Sequence, residues 1–285
     1  MPPPFRPQPS TGLPGALLTG LLLALTPALV SANRWSDVDA PSRGGPRVIG
    51  KTSNGCIAGA HTLPLEGAGY AVMHIERNRY YGHPSLVRTI QSLGHQVKER
   101  SLGLLHVGDL GQPRGGPMPS GHRSHQSGLD VDIWFDMDTR LLMRANPLRA
   151  NLSAPSMLNS HRNGLNHGLW SEQQVQLLKL AASNPEVDRI FVNPHIKLEL
   201  CQRSRGDRDW MRVLRPWYGH DDHLHLRLSC PPGNPECEPQ EPLGDGDGCD
   251  SSLDWWLKQP LPPSRPQPVP VQPMPYACNS VLAAP

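Results

Sequence analysis

The sequence predicts an α+β fold: a single compact domain with a central antiparallel β-sheet, helices packed around it and a disulfide-tied C-terminal extension. Three observations carry this expectation. The 285 residues suffice for one sizeable hydrophobic core or two small ones. Helix-period and strand-period segments are intermixed along the chain. Few parallel crossovers are available among them, which favours antiparallel pairing.

The first 32 residues stand apart from that core. Arg6 and the free amino terminus form a short positive region, and an apolar stretch runs from Leu13 to Val30. Val30-Ser31-Ala32 then supplies the small residues of a cleavage site, so residues 1–32 read as a secretory signal. An uncleaved anchor is the rival, because about 18 apolar residues can just span a bilayer. Pro27 and the small-residue site favour cleavage. No later apolar run is long enough to span a membrane, so no transmembrane segment is expected once the signal is removed.

From Asn33 to Gly50 the chain is polar and reads as a loose leader. His83-Pro84 opens a helix that Gly94 is expected to close. Gly103 to Val107 and Leu129 to Phe135 read as strands. Ser171-x-x-Gln174 is a capping box, followed by Val175, Leu178 and Ala182 at helical spacing. Arg189 to Val192 is a strand, Asn193-Pro194 starts a short helix towards Cys201, and His223 to Leu228 is a further strand. The domain is expected to occupy 33–258. A tail over 259–285 follows, beginning with eight prolines among the seventeen residues from Gln259 to Pro275, a polyproline-like composition.

The formal net charge of +2 leaves no basic footprint for nucleic acid. Six cysteines in an exported chain suggest three disulfides, with 15 connectivities open. Zinc binding by cysteine is the weaker reading, since no C-x-x-C pair exists. A homodimer is the assembly entertained beyond the single chain.

Five of the thirteen histidines fall in two short windows. In the strand His223–Leu228, His223, His225 and Arg227 share one face while Leu224, Leu226 and Leu228 share the other. The two imidazoles are then about 7 Å apart at Cα, so one could bind a metal while the other faces its water. Alone, H-x-H is better read as the wet face of a half-buried strand. The other window changes that. His125 and Asp132 are seven apart with Gly128 between them to turn a loop into the strand. Asp130 and Asp132 share a face of an otherwise apolar strand, and buried carboxylates need a partner such as a dication. Two His and one Asp leave a fourth position for water, the arrangement of a catalytic zinc site.

Ser124-His125-x-x-Gly128-x-x-x-Asp132 with His223-x-His225 resembles the metal motif of peptidases related to lysostaphin and D-alanyl-D-alanine dipeptidase. More closely, Gly108-Asp109-Leu110-Gly111, Gly115-Gly116-Pro117, Gly121-His122-x-Ser124-His125-Gln126 and Leu129-Asp130-Val131-Asp132 look like the penicillin-insensitive murein endopeptidases. Arg77-Asn78-Arg79, Gly82-His83-Pro84, Arg189-Ile190-Phe191-Val192-Asn193-Pro194, Asp207-Arg208-Asp209-Trp210 and Val213-x-Arg215-Pro216-Trp217 add to the likeness, which runs from about Cys56 to Cys249.

The resemblance implies a periplasmic zinc enzyme that hydrolyses the D-alanyl–meso-diaminopimelyl cross-links of peptidoglycan. It implies zinc on His125, Asp132 and His225, and His223 as the catalytic histidine. His122 and His220 match further active-site histidines, for substrate or transition-state contacts. It also implies the disulfides Cys56–Cys278, Cys201–Cys249 and Cys230–Cys237, the first anchoring the tail by closing a loop worth about 4 kcal/mol or more. Some members carry an additional Asp and His after the first metal strand. Here Asn159 to His167 holds no aspartate, so a second metal there is in doubt and His161 and His167 read as surface residues.

The rivals are a D,D- or L,D-carboxypeptidase trimming stem peptides and a non-catalytic zinc-containing wall-binding protein. No H-E-x-x-H offers a glutamate base, and no G-x-S-x-G elbow supports a serine mechanism. Trp255-Trp256 could contact glycan, although packing against the C-terminal part is the plainer reading. Asp130 reads equally as the partner of a ligand histidine or as a structural carboxylate.

Overall fold

A computed structural model describes residues 35–119, 122–144, 146–259 and 272–285. The expected signal and most of the proline-rich stretch lie outside them. Among the described residues there are eleven strands and five α-helices. The strands are β1 (Arg47–Lys51), β2 (Asn54–Ala58), β3 (His61–Thr62), β4 (Glu66–Gly67), β5 (Tyr70–Val72), β6 (Tyr81–Gly82), β7 (Leu105–Val107), β8 (Asp130–Trp134), β9 (Val187–Val192), β10 (Leu214–Pro216) and β11 (His223–Leu228). The helices are α1 (Pro84–Glu99), α2 (Glu172–Ala182), α3 (Pro194–Arg203), α4 (Ser251–Lys258) and α5 (Ala277–Ala283).

Seven strands form one sheet in the order β10-β9-β11-β8-β7-β5-β4. Its centre, β9-β11-β8-β7, is antiparallel as expected. The sheet as a whole is mixed, however, because β10 runs parallel to β9 and β5 parallel to β7. Parallel neighbours need a crossover. Here α1 joins β5 to β7 and α3 joins β9 to β10, two units that the sequence reading had discounted.

Each long helix begins where its cap dictates. The His83 ring nitrogen accepts from the Ser85 N–H with Pro84 at the first helical position. Ser171 and Gln174 close a reciprocal capping box on α2, and the Asn193 side chain accepts from the His195 N–H at α3. Gly94 does not end α1, which continues to Glu99. It is instead a point of close approach, since a Cβ there would lie 2.7 Å from the Ala68 carbonyl oxygen.

The core lies on the sheet face carrying Val131, Ile133, Leu224 and Leu226, against Leu86, Ile90 and Val97 of α1 and Leu177 and Leu178 of α2. Each such side chain is fully buried or nearly so, and each contributes about 1.5–3 kcal/mol. Lys197 is buried too, and its ammonium donates to the Met211 and Asp247 carbonyls, pinning the loop before Cys249.

From Trp35 onward, the segment expected to be a loose leader is ordered. Trp35 is buried, Ser42 Oγ accepts from the Gly59 N–H, and β1 pairs with β2. The partner of this hairpin is α5. Cys278 on α5 is bonded to Cys56 on β2, and Arg114 donates to the carbonyls of Val281, Leu282 and Ala284 at the helix end. Cys201–Cys249 and Cys230–Cys237 are the other two disulfides, so the three pairs are those the resemblance implies. Replacing Cys278 by Ser should lower unfolding stability by about 2–5 kcal/mol in denaturant titration under oxidising conditions. An unchanged midpoint would show that the clasp does not hold the hairpin.

Candidate metal centre

β8 and β11 pair so that Asp132 stands opposite His225 and Asp130 opposite Arg227. Alternation puts Asp130, Asp132, Trp134, His223, His225 and Arg227 on the sheet face turned away from the leucines. Phe191 on β9 lies opposite His225 in the same register, its ring centroid 5.4 Å from the imidazole.

His125 comes from the loop before β8. Its φ of 67° is in the left-handed region, which residues with a Cβ seldom adopt. Its backbone N–H donates to Asp130 Oδ2 at 2.9 Å, which holds the loop against the strand. Gly128, at φ 72°, then turns the chain into β8.

Four imidazoles face one carboxylate. Asp132 Oδ1 lies 3.0 Å from His225 Nδ1, 3.4 Å from His125 Nε2 and 3.6 Å from His223 Nε2. Asp132 Oδ2 lies 3.3 Å from His122 Nε2. His125, Asp132 and His225 are buried, whereas His122 and His223 reach the surface. His220 stacks near this group, with its ring centroid 5.1 Å from that of His223.

Both ring nitrogens of His125, Nε2 of His225 and Oδ1 of Asp132 are buried without a hydrogen-bond partner. Such groups cost stability unless something satisfies them. A cation drawing on His125 Nε2 and Asp132 Oδ1 would satisfy two of them at once. Among the described residues, the potential ligand atoms that all lie within 4.8 Å of one another belong to His122, His125 and Asp132. This set has His122 where the sequence reading has His225. The two differ in prior commitments: His122 Nε2 already meets Asp109 Oδ2 at 3.1 Å.

The charges are consistent with a cation site. Burial alone would raise the Asp132 carboxyl, but His125, His223 and His122 outweigh it and hold it well below the usual range. His225 shows the converse: burial disfavours its charge, yet Asp130 and Asp132 push its pKa up to about 9. The two carboxylates that favour a proton on this ring equally favour a cation in the proton's place once the ring is deprotonated. Asp130 is held low against burial by Arg227, whose Nε and Nη2 donate to it at 2.7 and 3.1 Å. Beside the cluster opens a cleft of about 240 Å³ lined by His74, Asp109, His122, Trp134, Asp222 and His223, among others.

Residues 48–283 match the penicillin-insensitive murein endopeptidase family. The chain belongs to that family. A penicillin-insensitive murein endopeptidase of Klebsiella pneumoniae (strain 342) is 42% identical over 266 residues, covering 92% of this chain and 95% of the relative. One of Salmonella newport (strain SL254) is 40% identical over 256 residues, covering 90% and 93%. Both histidine windows of this family member fall inside the matched stretch.

The sequence-predicted site residues therefore converge in one place: His122, His125, Asp132, His220, His223 and His225. His161 and His167 do not join them and are exposed. Three contributors had not been singled out. Asp222 meets His223 Nδ1, Asp109 holds His122 as well as Arg79 and Arg77, and Phe191 packs on His225 and under the Arg227 guanidinium. Asp222 adjoins the second window and Asp109 sits in a quoted string, but no spacing rule links either to its partner. Asp130→Ala should destabilise the fold by about 3 kcal/mol in chemical denaturation, because it leaves Arg227 charged and unpaired in the interior. A loss well under 1 kcal/mol would mean that Arg227 finds another partner.

Proposed function

We propose that the chain is a zinc-dependent murein endopeptidase that hydrolyses the D-alanyl–meso-diaminopimelyl amide cross-links of peptidoglycan in the periplasm. The observation that carries this reading is the gathering of four imidazoles around the buried Asp132 carboxylate, with His125 Nε2 and Asp132 Oδ1 lacking a hydrogen-bond partner, beside an open cleft in a chain of this family.

His125, Asp132 and His225 would hold the zinc. Two atoms each about 2.0–2.1 Å from a tetrahedral ion lie about 3.3 Å apart. The two ligand separations that involve Asp132 Oδ1, 3.4 Å to His125 Nε2 and 3.0 Å to His225 Nδ1, are close to that edge. When bound, zinc supplies Lewis acidity to the scissile carbonyl and acidifies a water.

The remaining groups handle protons. The Asp222 carboxylate accepts from His223 Nδ1–H, which leaves the Nε2 lone pair facing the site. Burial disfavours a charged His223, but Asp132 and Asp222 outweigh it and raise its pKa. His223 Nε2 is thus suited to take a proton from the attacking water and to pass one to the leaving amine. His220 is suited otherwise. Its Nδ1–H donates to the Tyr218 carbonyl at 3.2 Å, and burial pushes its pKa down to about 3, so the ring stays neutral and its Nε2 accepts. That leaves the oxyanion contact to His122, which the cleft reaches directly.

The enzyme rival, a carboxypeptidase, would shorten monomers by one residue, whereas an endopeptidase converts dimers to uncut monomers. Separation of muropeptides from digested sacculi should show dimers falling and uncut monomers rising; shortened monomers alone would overturn the reading. His223→Ala should keep one zinc per chain by elemental analysis and lose at least about 100-fold in rate. A fully active variant would remove His223 from the chemistry. Asp222→Asn should retain zinc and lose about tenfold in kcat with little change in KM, the signature of a residue that orients another; wild-type kcat would count against that role.

A further inference from the structure

Beyond the cleft, on the β9–β10 side of the histidine strand, lies an aromatic surface with no role in the chemistry above. Phe191 touches both His225 and His220, with centroids 5.4 and 6.0 Å away, and on its other side meets Trp217 at 5.7 Å. Trp217 follows β10 and meets Trp256 at 5.5 Å, and Trp256 in turn meets Trp255 at 5.3 Å. Trp217 is 51% exposed and Trp255 56% exposed. Of the pair Trp255-Trp256, expected to pack, Trp256 is half-buried against Trp217 and Tyr218 while Trp255 stands exposed.

Helix α4 makes this exposure notable. Leu253 is its only buried residue, yet the helix is firmly tethered. The Cys201–Cys249 disulfide ends just before it, the Asp250 side chain caps it by accepting from Ser252 N–H, and the Tyr218 hydroxyl donates to the Trp256 carbonyl. A tethered helix that leaves Trp255 exposed close to the exposed Trp217 is suited to be a binding surface. The rings do not line an apolar groove. Trp255 stands at 89° to Trp256 and Trp256 at 50° to Trp217, so the rings lie in different planes, with Trp217 and Trp255 exposed and Trp256 half-buried between them and Tyr218. Asp250 and Asp254 beside them offer hydrogen-bond acceptors but repel carboxylates.

Exposed aromatic faces whose charged neighbours are of both signs, Asp250 and Asp254 against Arg215 and Lys258, with no basic cluster to hold carboxylates, suit the C–H faces and hydroxyls of neutral sugars better than carboxylate-bearing stem peptides. We infer that Trp217, Trp255 and Trp256 form a carbohydrate subsite that seats the N-acetylated amino-sugar strand of the substrate beside the cleft. This rests on the murein reading, in which the cut peptide hangs from a glycan strand that must pass close to the catalytic histidines. Glycan on the tryptophans and peptide in the cleft would then flank β11 from its two sides.

The test uses the mature metal-loaded protein and glycan strands stripped of peptide by an amidase and capped as simple amides at the freed lactyl carboxylates, titrated by tryptophan fluorescence and calorimetry. Wild type should bind saturably. Trp255→Ala should bind about tenfold more weakly, the loss expected of one anchoring aromatic, while Trp255→Tyr should retain most of the affinity. Trp255→Ala should also cut a soluble glycan-free cross-linked dimer at the wild-type rate and sacculi more slowly. Absence of wild-type binding to the stripped strands, or equal binding by Trp255→Ala, would overturn the subsite. Failure of wild type to cut the soluble dimer would instead overturn the endopeptidase reading, since the binding assay contains no peptide bond.

Discussion

Asp132 faces His225 across the β8–β11 pair, and almost everything at the centre depends on that register. A slip of one residue would turn the histidines into the leucine core and the leucines into the cleft. Two features hold it in place. Val131, Ile133, Leu224 and Leu226 are completely buried on one face, and the Asp130–Arg227 pair lies directly opposite on the other. The second feature has no tolerance for slippage, because an unpaired charge in that position would be far costlier than a misplaced methyl group. The ion pair thus acts as a register pin two residues from the candidate ligands, and Phe191 keeps water from its flank.

Three buried carboxylates crowd this region, and their partners assign them different work. Asp130 is neutralised by Arg227, and Asp109 by Arg79 and Arg77. The close neighbours of Asp132 are histidines: His122, His125, His223 and His225. An arginine is a permanent and bulky cation, and its presence excludes a metal from the same oxygen. Histidines can surrender their protons and offer lone pairs instead. The geometry around Asp132 is therefore the one place in the cluster where a dication can take over from protons without expelling a fixed charge.

The local elements were legible because their causes are local. His83-Pro84, Ser171 with Gln174, and Asn193-Pro194 each start a helix by satisfying backbone N–H groups within three residues. The alternation from His223 to Leu228 likewise foretold which side chains meet the core. What was not legible depends on distant partners. Gly94 looks like a helix stop until Ala68 is brought against it, and the polar run before Gly50 looks loose until β2 pairs with it. The two parallel pairs escaped notice because β5 and β10 are three residues long and give no periodic signal. At the site, both histidine windows were visible as patterns. Asp109 joins them only through the fold, 13 residues from His122 and 30 from Arg79.

The distant C-terminal helix also bears on the candidate site, through a chain of contacts that can be followed atom by atom. His125 is held by a loop whose Gln126 donates its backbone N–H to the Thr52 carbonyl and its side-chain amide to Ser53, while Gln126 Oε1 lies 3.4 Å from the Gly55 N–H. Those three partners form the tip of the β1–β2 hairpin. The hairpin has few layers of its own, and α5 closes its outer side through Cys56–Cys278 and a small cluster containing Trp35, Ile49 and Val281. Arg114, which holds the last turn of α5, precedes the Gly115 and Gly116 turn that leads back to the same loop. A left-handed residue such as His125 persists only where its surroundings over-determine it. Here the over-determination comes from a strand carboxylate on one side and, on the other, from a hairpin that the end of the chain locks shut. The disulfide beyond the proline-rich stretch thus serves the geometry of a candidate metal ligand more than 150 residues earlier, which gives the chain a structural reason to carry its tail back to the body.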